Sequence, residues 1–272
     1  MSMRSYISYQ EGKRVERIDL ASSGIYFARG GAVECLTLPE ITNPLENDWQ
    51  EEDGLEVEPS GYILTSPYIT LRFIVIGRSG ETLKTSLNTL RHILSFGKAV
   101  VEPADMHTYA IRHISFEGYK HVGTSPCTGE MKCGEVTVRC QLRESIPRVL
   151  SSAYAPTPDP LTHISIDETD LAHYGIQVTS AYDSLLQPAD FKEQTLKARS
   201  REVSIECLSI GDDYRQVEHH LHLIWKVVDK KQFYLTYDAG KVRCHYTSMT
   251  NISELPLTNK KGIAFTLNFK TI

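Results

Sequence analysis

Apolar positions along the chain switch between a strand period and a helix period, and the same succession of switches occurs twice. Ile69-Thr-Leu-Arg-Phe-Ile-Val-Ile-Gly77 is an apolar stretch of strand length closed by glycine, and Val203-Ser-Ile-Glu-Cys-Leu-Ser-Ile-Gly211 answers it at an offset of 134 (211 minus 77). After each glycine the period changes. Leu83, Leu87, Leu90 and Leu94 fall at i, i+4, i+7 and i+11, and Val217, Leu221, Ile224 and Val228 repeat that spacing at the same offset. Such spacing lines one face of an α-helix, so Leu87 and Leu221 are both expected to be buried against their own sheets. Gly97 closes the first helix as a C-cap would, and Asp229-Lys-Lys231 closes the second.

Short strand patterns follow in both halves, Ala99–Val101 against Phe233–Tyr237, then Thr108–Ile114 against Lys241–Tyr246. Each half ends on a strict alternation, with Val136, Val138, Cys140 and Leu142 in the first and Ile263, Phe265, Leu267 and Phe269 in the second. Upstream, Asp19-Leu-Ala-Ser-Ser-Gly-Ile25 shares five of seven residues with Asp170-Leu-Ala-His-Tyr-Gly-Ile176, and Ala32–Pro39 lines up with Ala181–Pro188. A fixed order of elements repeated in one chain marks an internal duplication. The fold class expected is therefore α+β: two repeated β-rich domains, mainly antiparallel sheet or barrel-like, each with one packed helix. The expected division is a first copy at 1–144, a linker at 145–164, and a second copy at 165–272. Four prolines between Ser145 and Pro160 favour the linker, because proline is excluded from helix interiors and central strands.

Composition narrows the function classes. At 41% hydrophobic and 23% charged residues the chain can fill a core, and no apolar run reaches the roughly 18 residues of a membrane span. The net charge of -5 gives no basic field for phosphates, so sequence-specific nucleic-acid binding is not expected. Residues 1–20 contain no apolar stretch of a signal peptide, which leads to an expectation of a cytoplasmic protein with its six cysteines mostly reduced and in the core.

Candidate chemistry is sparse. Residues 46–58 carry seven acidic side chains and no basic one. A solvated loop, a subunit contact and a metal or paired-carboxylate site are all open to such a segment, but its spacing does not fit an EF-hand loop. Trp49 among the charges favours the contact, so Asp48, Trp49, Glu51, Glu52 and Asp53 are the candidate partner-binding residues. The stretch Gly118–Gly134 reads as a turn-rich loop; its Cys127 and Cys133 are too far apart for the usual zinc spacing, and metal, a disulfide and free thiols remain open. His219, His220 and His222 lack the zincin pattern and are read as a solvent-facing stripe. Gly77-Arg-Ser-Gly80 has no Walker lysine, and its counterpart Gly211-Asp-Asp213 would repel phosphate, so both are read as capped strand-to-helix turns. No Gly-x-Ser-x-Gly elbow is present. Neither catalytic residues, nor a cofactor, nor a metal site is expected.

A β-rich unit with one helix, duplicated within 272 residues and carrying Gly24-Ile25 ahead of the acidic Asp48-Trp-Gln-Glu-Glu-Asp-Gly54, resembles prophage-encoded tail proteins. Among these it is most similar to distal tail and baseplate-hub proteins of the tail-tube fold. The resemblance spans about Asp19 to Ile272 and implies a non-enzymatic virion component that forms a ring between tail tube and tip. Implied partners are the chain itself, as a trimer or hexamer, and other tail or baseplate proteins. Assembly in the bacterial cytoplasm and a final place in the virion tail follow, with no membrane contact. Distal tail proteins that append a carbohydrate-binding-like domain differ, because the second half here repeats the first. The alternative expectation is a soluble ligand-binding or enzymatic protein that uses a cleft between the two domains.

Overall fold

The computed structural model describes residues 4–42, 46–47, 56–57, 62–124, 132–143, 163–184, 201–230, 232–237 and 240–272. The chain divides into two compact units, Met1–Thr37 with Ser66–Ser145, and Leu38–Thr65 with Ile146–Ile272. Each is built around a mainly antiparallel sheet with one α-helix packed on it, an α+β arrangement in two similar copies.

In the first unit the strands are β1 (Tyr6–Glu11), β2 (Arg14–Asp19), β3 (Ile25–Phe27), then, beyond the hairpin described below, β8 (Tyr68–Gly77), β9 (Lys98–Glu102), β10 (Tyr109–Thr124) and β11 (Lys132–Leu142), with α1 (Gly80–Ser95) between β8 and β9. Their order across the sheet is β2-β1-β9-β10-β11-β8-β3. In the second unit β12 (Ser165–Ile166), β13 (Thr169–Asp170), β14 (Ile176–Asp183), β15 (Glu202–Gly211), β16 (Phe233–Tyr237), β17 (Gly240–Glu254) and β18 (Lys261–Thr271), with α2 (Tyr214–Val228), run β13-β12-β16-β17-β18-β15-β14. Substituting each strand by its counterpart turns one order into the other.

Local devices repeat as well. Asp19 and Asp170 each cap a 3-10 turn by accepting the N–H two residues on, and Gly24 and Gly175 end those turns at φ +68° and +74°. A side chain is strained at such angles and has no room here: a Cβ on Gly24 would lie 2.5 Å from the Ile76 carbonyl oxygen, and one on Gly175 2.5 Å from the His220 ring. Each helix starts from an extended N-cap residue. The Ser79 hydroxyl accepts the Thr82 N–H at 3.2 Å, and an Asp213 carboxylate oxygen accepts the Gln216 N–H at 2.9 Å. In return Thr82 Oγ1 accepts the Ser79 N–H, and Gln216 Oε1 accepts that of Asp212. Both Gly77 and Gly211 therefore belong to capped turns, as the sequence suggested.

The closing strands β11 and β18 run through the middle of the sheets, where both neighbours pair with them along their length. Their alternate residues Val136, Val138, Cys140, Leu142, Ile263, Phe265, Leu267 and Phe269 are all buried under the helices. Burial of this apolar face holds each sheet to its helix, at roughly 1.5 to 3 kcal/mol for each large side chain removed from water.

Three expectations need correction. Leu221 is fully buried but Leu87 is only partly so. Ala32–Leu36 contains a 3-10 turn, whereas its supposed counterpart Ala181–Asp183 finishes strand β14, so that short alignment does not join equivalent elements. The turn-rich segment 118–134 begins and ends as strand, since β10 continues to Thr124 and β11 starts at Lys132. Three register shifts along the β10 and β11 pair let it continue through Gly118 and Gly123.

The residues between β3 and β8 form two small ladders, β4 (Glu40–Thr42) with β7 (Ile63–Thr65), and β5 (Glu46–Asn47) with β6 (Glu56–Val57). Within the second unit β4 lies against β17, and the Tyr62 ring is 5.4 Å from that of His245.

Candidate functional site

Asp48, Trp49, Glu51, Glu52 and Asp53 lie outside the described residues; their flanks pair antiparallel, Glu46 with Val57 and Asn47 with Glu56. Cys127 and the 145–162 part of the expected linker also lie outside them. Among the described residues the structure defines a set of sheet edges and an open groove.

The first sheet ends on β2 and β3. Only three residues of β3 pair with β8, and the rest of that edge is closed by the loop that follows. Ala28 N–H donates to the Arg72 carbonyl, Arg72 N–H to that of Gly31, and Thr70 N–H to Glu34 Oε2 at 2.6 Å. Burial pushes the Glu34 carboxyl above its usual range, opposed by the Thr70 bond and by Arg72. A carboxylate thus takes the place of a strand, which blunts this edge against pairing. In the second unit the matching edge is a strand, β14, paired along its eight residues with β15 apart from one bulge. Its outer side faces no strand among the described residues, and Tyr182 on it is 68% exposed. Asp183 anchors its end through Arg201 at 3.0 Å and the Tyr237 hydroxyl, whose pKa is raised to about 12 by burial and by that bond.

The groove lies in the first unit between α1 and the far half of β10. A cavity of about 200 Å³ is lined by Leu87, Leu90, Arg91, Phe116, Tyr119 and Val136, with Glu117 and Gly118 at its floor strand. Phe116 and Tyr119 are 39% and 47% exposed. Tyr119 is held flat over Gly134, where an added Cβ would lie 2.4 Å from its ring. The sequence hinted at these aromatics only through their place in the segment by which the first half exceeds the second. Beyond Ile114 bulges shift the alternation of β10, so its period-two pattern does not extend to them.

In the second unit the equivalent positions are taken by buried side chains. The residue aligned with Arg91 is Trp225, buried and edge-on to Tyr246 at 5.9 Å, and the register of β17 with β18 puts buried Met249 where Phe116 stands in the first. The histidines of α2 are correspondingly placed: His220 and His222 are buried and His219 is half-buried, so they do not form a solvent-facing stripe. Ser209 Oγ lies 3.0 Å from His220 Nδ1, a spacing suited to a nucleophile and its base. Both residues are almost wholly closed to solvent, so no substrate reaches them.

Among the described residues no three His, Cys, Asp or Glu side chains converge as metal ligands would, and no helix is long and apolar enough to cross a membrane. Cys35, Cys133, Cys140, Cys207 and Cys244 are buried, in line with the expected core cysteines, and burial raises Cys140 and Cys244 to about 12.

No protein-family profile matches the chain, and neither does any curated protein. Among solved structures the chain is similar to SPP1 Dit (gp 19.1), described as a paradigm of the hub adsorption apparatus in phages infecting Gram-positive hosts. The two share 15% identity over 98% of each chain, with a TM-score of 0.33.

Proposed function

We propose that the chain is a structural phage-tail component, a hub or distal-tail adaptor that closes into a ring between tail tube and tip. One observation carries this reading: two seven-stranded sheets of the same strand order, each with its helix in the same place, within one chain. Enzymes concentrate chemistry in one pocket, whereas a ring wall needs many like surfaces. Closed rotational symmetry multiplies a unit already doubled, so three chains present six similar walls. A trimer is thus slightly preferred to a hexamer. The halves 1–144 and 165–272 are taken as the two copies, joined through 145–164, with the hairpin residues 38–65 as an addition to the first. Other tail or baseplate proteins stack above and below the ring, which assembles in the bacterial cytoplasm and ends in the virion tail.

The test is composition. Tail particles purified from a prophage that carries a tagged copy of this chain are expected to contain it in fixed ratio to the tube protein. Particles complete without it refute the reading.

A further inference from the structure

We propose that the groove between α1 and β10 of the first unit receives Trp49 and its acidic neighbours from a second copy of this chain. The inference rests on the ring reading and names one contact within it. Its starting point is the difference between the two units. The second fills the space between helix and sheet with its own Trp225 and Met249, while the first leaves the same space open and sets Arg91 at the aligned position. An opening at the position that a buried indole occupies in the other unit suits an aromatic side chain. At about 200 Å³ it is smaller than the roughly 300 to 1,000 Å³ of small-molecule sites.

Charge selects the segment that brings the aromatic. Lys84 and Arg91 flank Leu87 on the exposed side of α1, whose described residues include one acid, Glu81, in the first turn. Glu117 at the strand side is paired across to Arg139 at 4.0 Å. The chain has two tryptophans, and Trp225 is buried. Trp49 remains, and it stands among Glu46, Asp48, Glu51, Glu52 and Asp53 with no basic residue from 46 to 58. An aromatic anchor surrounded by complementary charge is how interface hot spots are built. Leu87, Phe116 and Tyr119, left partly exposed in the single chain, are then covered in the assembly.

The probe is a labelled peptide of residues 44–60, titrated by fluorescence anisotropy against the full chain carrying Trp49→Ala, which removes the competing anchor. Binding is expected, weakening as salt rises. It should fall by roughly tenfold or more when Arg91→Trp is added, because the groove is then filled as in the second unit. Leu87→Glu, at a half-exposed helix position, should have the same effect by placing an acid against the acidic peptide. Circular dichroism checks that both variants remain folded. Absence of binding, or binding by Arg91→Trp and Leu87→Glu as tight as that of the Trp49→Ala parent, overturns the proposal. Ring formation by the unmodified chain, read separately as mass, tests the parent reading, so failure of the contact and failure of the ring are told apart.

Discussion

Ser209 Oγ and His220 Nδ1 lie 3.0 Å apart in the core of the second unit, where the first unit has Val75 and Ser86 at the aligned positions. The duplicated fold therefore tolerates a polar pair in one copy and an apolar-to-hydroxyl pair in the other. Ser86 satisfies itself by donating to the Thr82 carbonyl at 3.1 Å. His220 has the Ser209 hydroxyl beside it, and the arrangement ties the stability of the second unit to pH.

Burial first, and His219 second, pull His220 from the usual 6.5 down to about 4. The unfolded chain then binds more protons than the folded one between those values. Stability is present above about pH 6.5 and is lost as pH falls toward about 4, by on the order of 3 kcal/mol. Glu34, raised by burial, acts with the opposite sign. Comparison with His220→Gln isolates the histidine. Denaturant unfolding from pH 8 down to 4 should show the unmodified chain losing stability relative to His220→Gln over that window; a constant difference would contradict the buried neutral imidazole.

Gly175→Ala should couple energetically to His220, since its Cβ meets that ring, while Gly24→Ala meets a backbone carbonyl that no side-chain change removes. Each substitution is expected to cost on the order of 1 to 3 kcal/mol for the left-handed backbone alone. His220→Ser should recover part of the additional clash at Gly175, and Ser86→Ala should recover little at Gly24. Double-mutant cycles by urea unfolding check both, with coupling of about 0.5 kcal/mol or more expected at the first site.

Leu221→Ala should destabilise by about 2 to 5 kcal/mol, the range for a fully buried leucine. Leu87→Ala should cost clearly less, because Leu87 faces an open groove and removal of its side chain leaves less of a cavity. Equal losses in thermal or urea unfolding would mean that the groove is closed in solution.

These contrasts separate what sequence periodicity carries from what packing decides. Fold class, the duplication, the two capped helices and the central strands were legible because burial on one face imposes period 3.6 or period 2 over enough residues to count. Leu87, Phe116 and Tyr119 were not, because helical phase says which residues face the sheet and not whether the sheet side reaches them. Trp225 and Met249 close that gap in one copy, and Arg91 leaves it open in the other. The α2 histidines were misplaced for a similar reason. A polar residue on a helix is taken as exposed unless its partners are known, and the partner of His220 comes from Ser209, eleven positions away on another element. The candidate segment around Trp49 was visible only as composition, and its receiving surface only in the structure.

The five buried thiols should resist modification in the native state, since burial puts them out of reach of a reagent. Titration with a thiol reagent is expected to label at most Cys127 rapidly, and all six cysteines only after denaturation. Rapid labelling of two or more would show that one unit opens readily.

The central claim is that two like units per chain build a closed ring, and mass measured together with particle images tests it most directly. Chain co-expressed with its neighbouring tail proteins should yield complexes holding three copies, or six, around a central opening, with pseudo-sixfold density in the three-copy case. A chain that stays a single copy, placed off the axis of such complexes, would contradict the account.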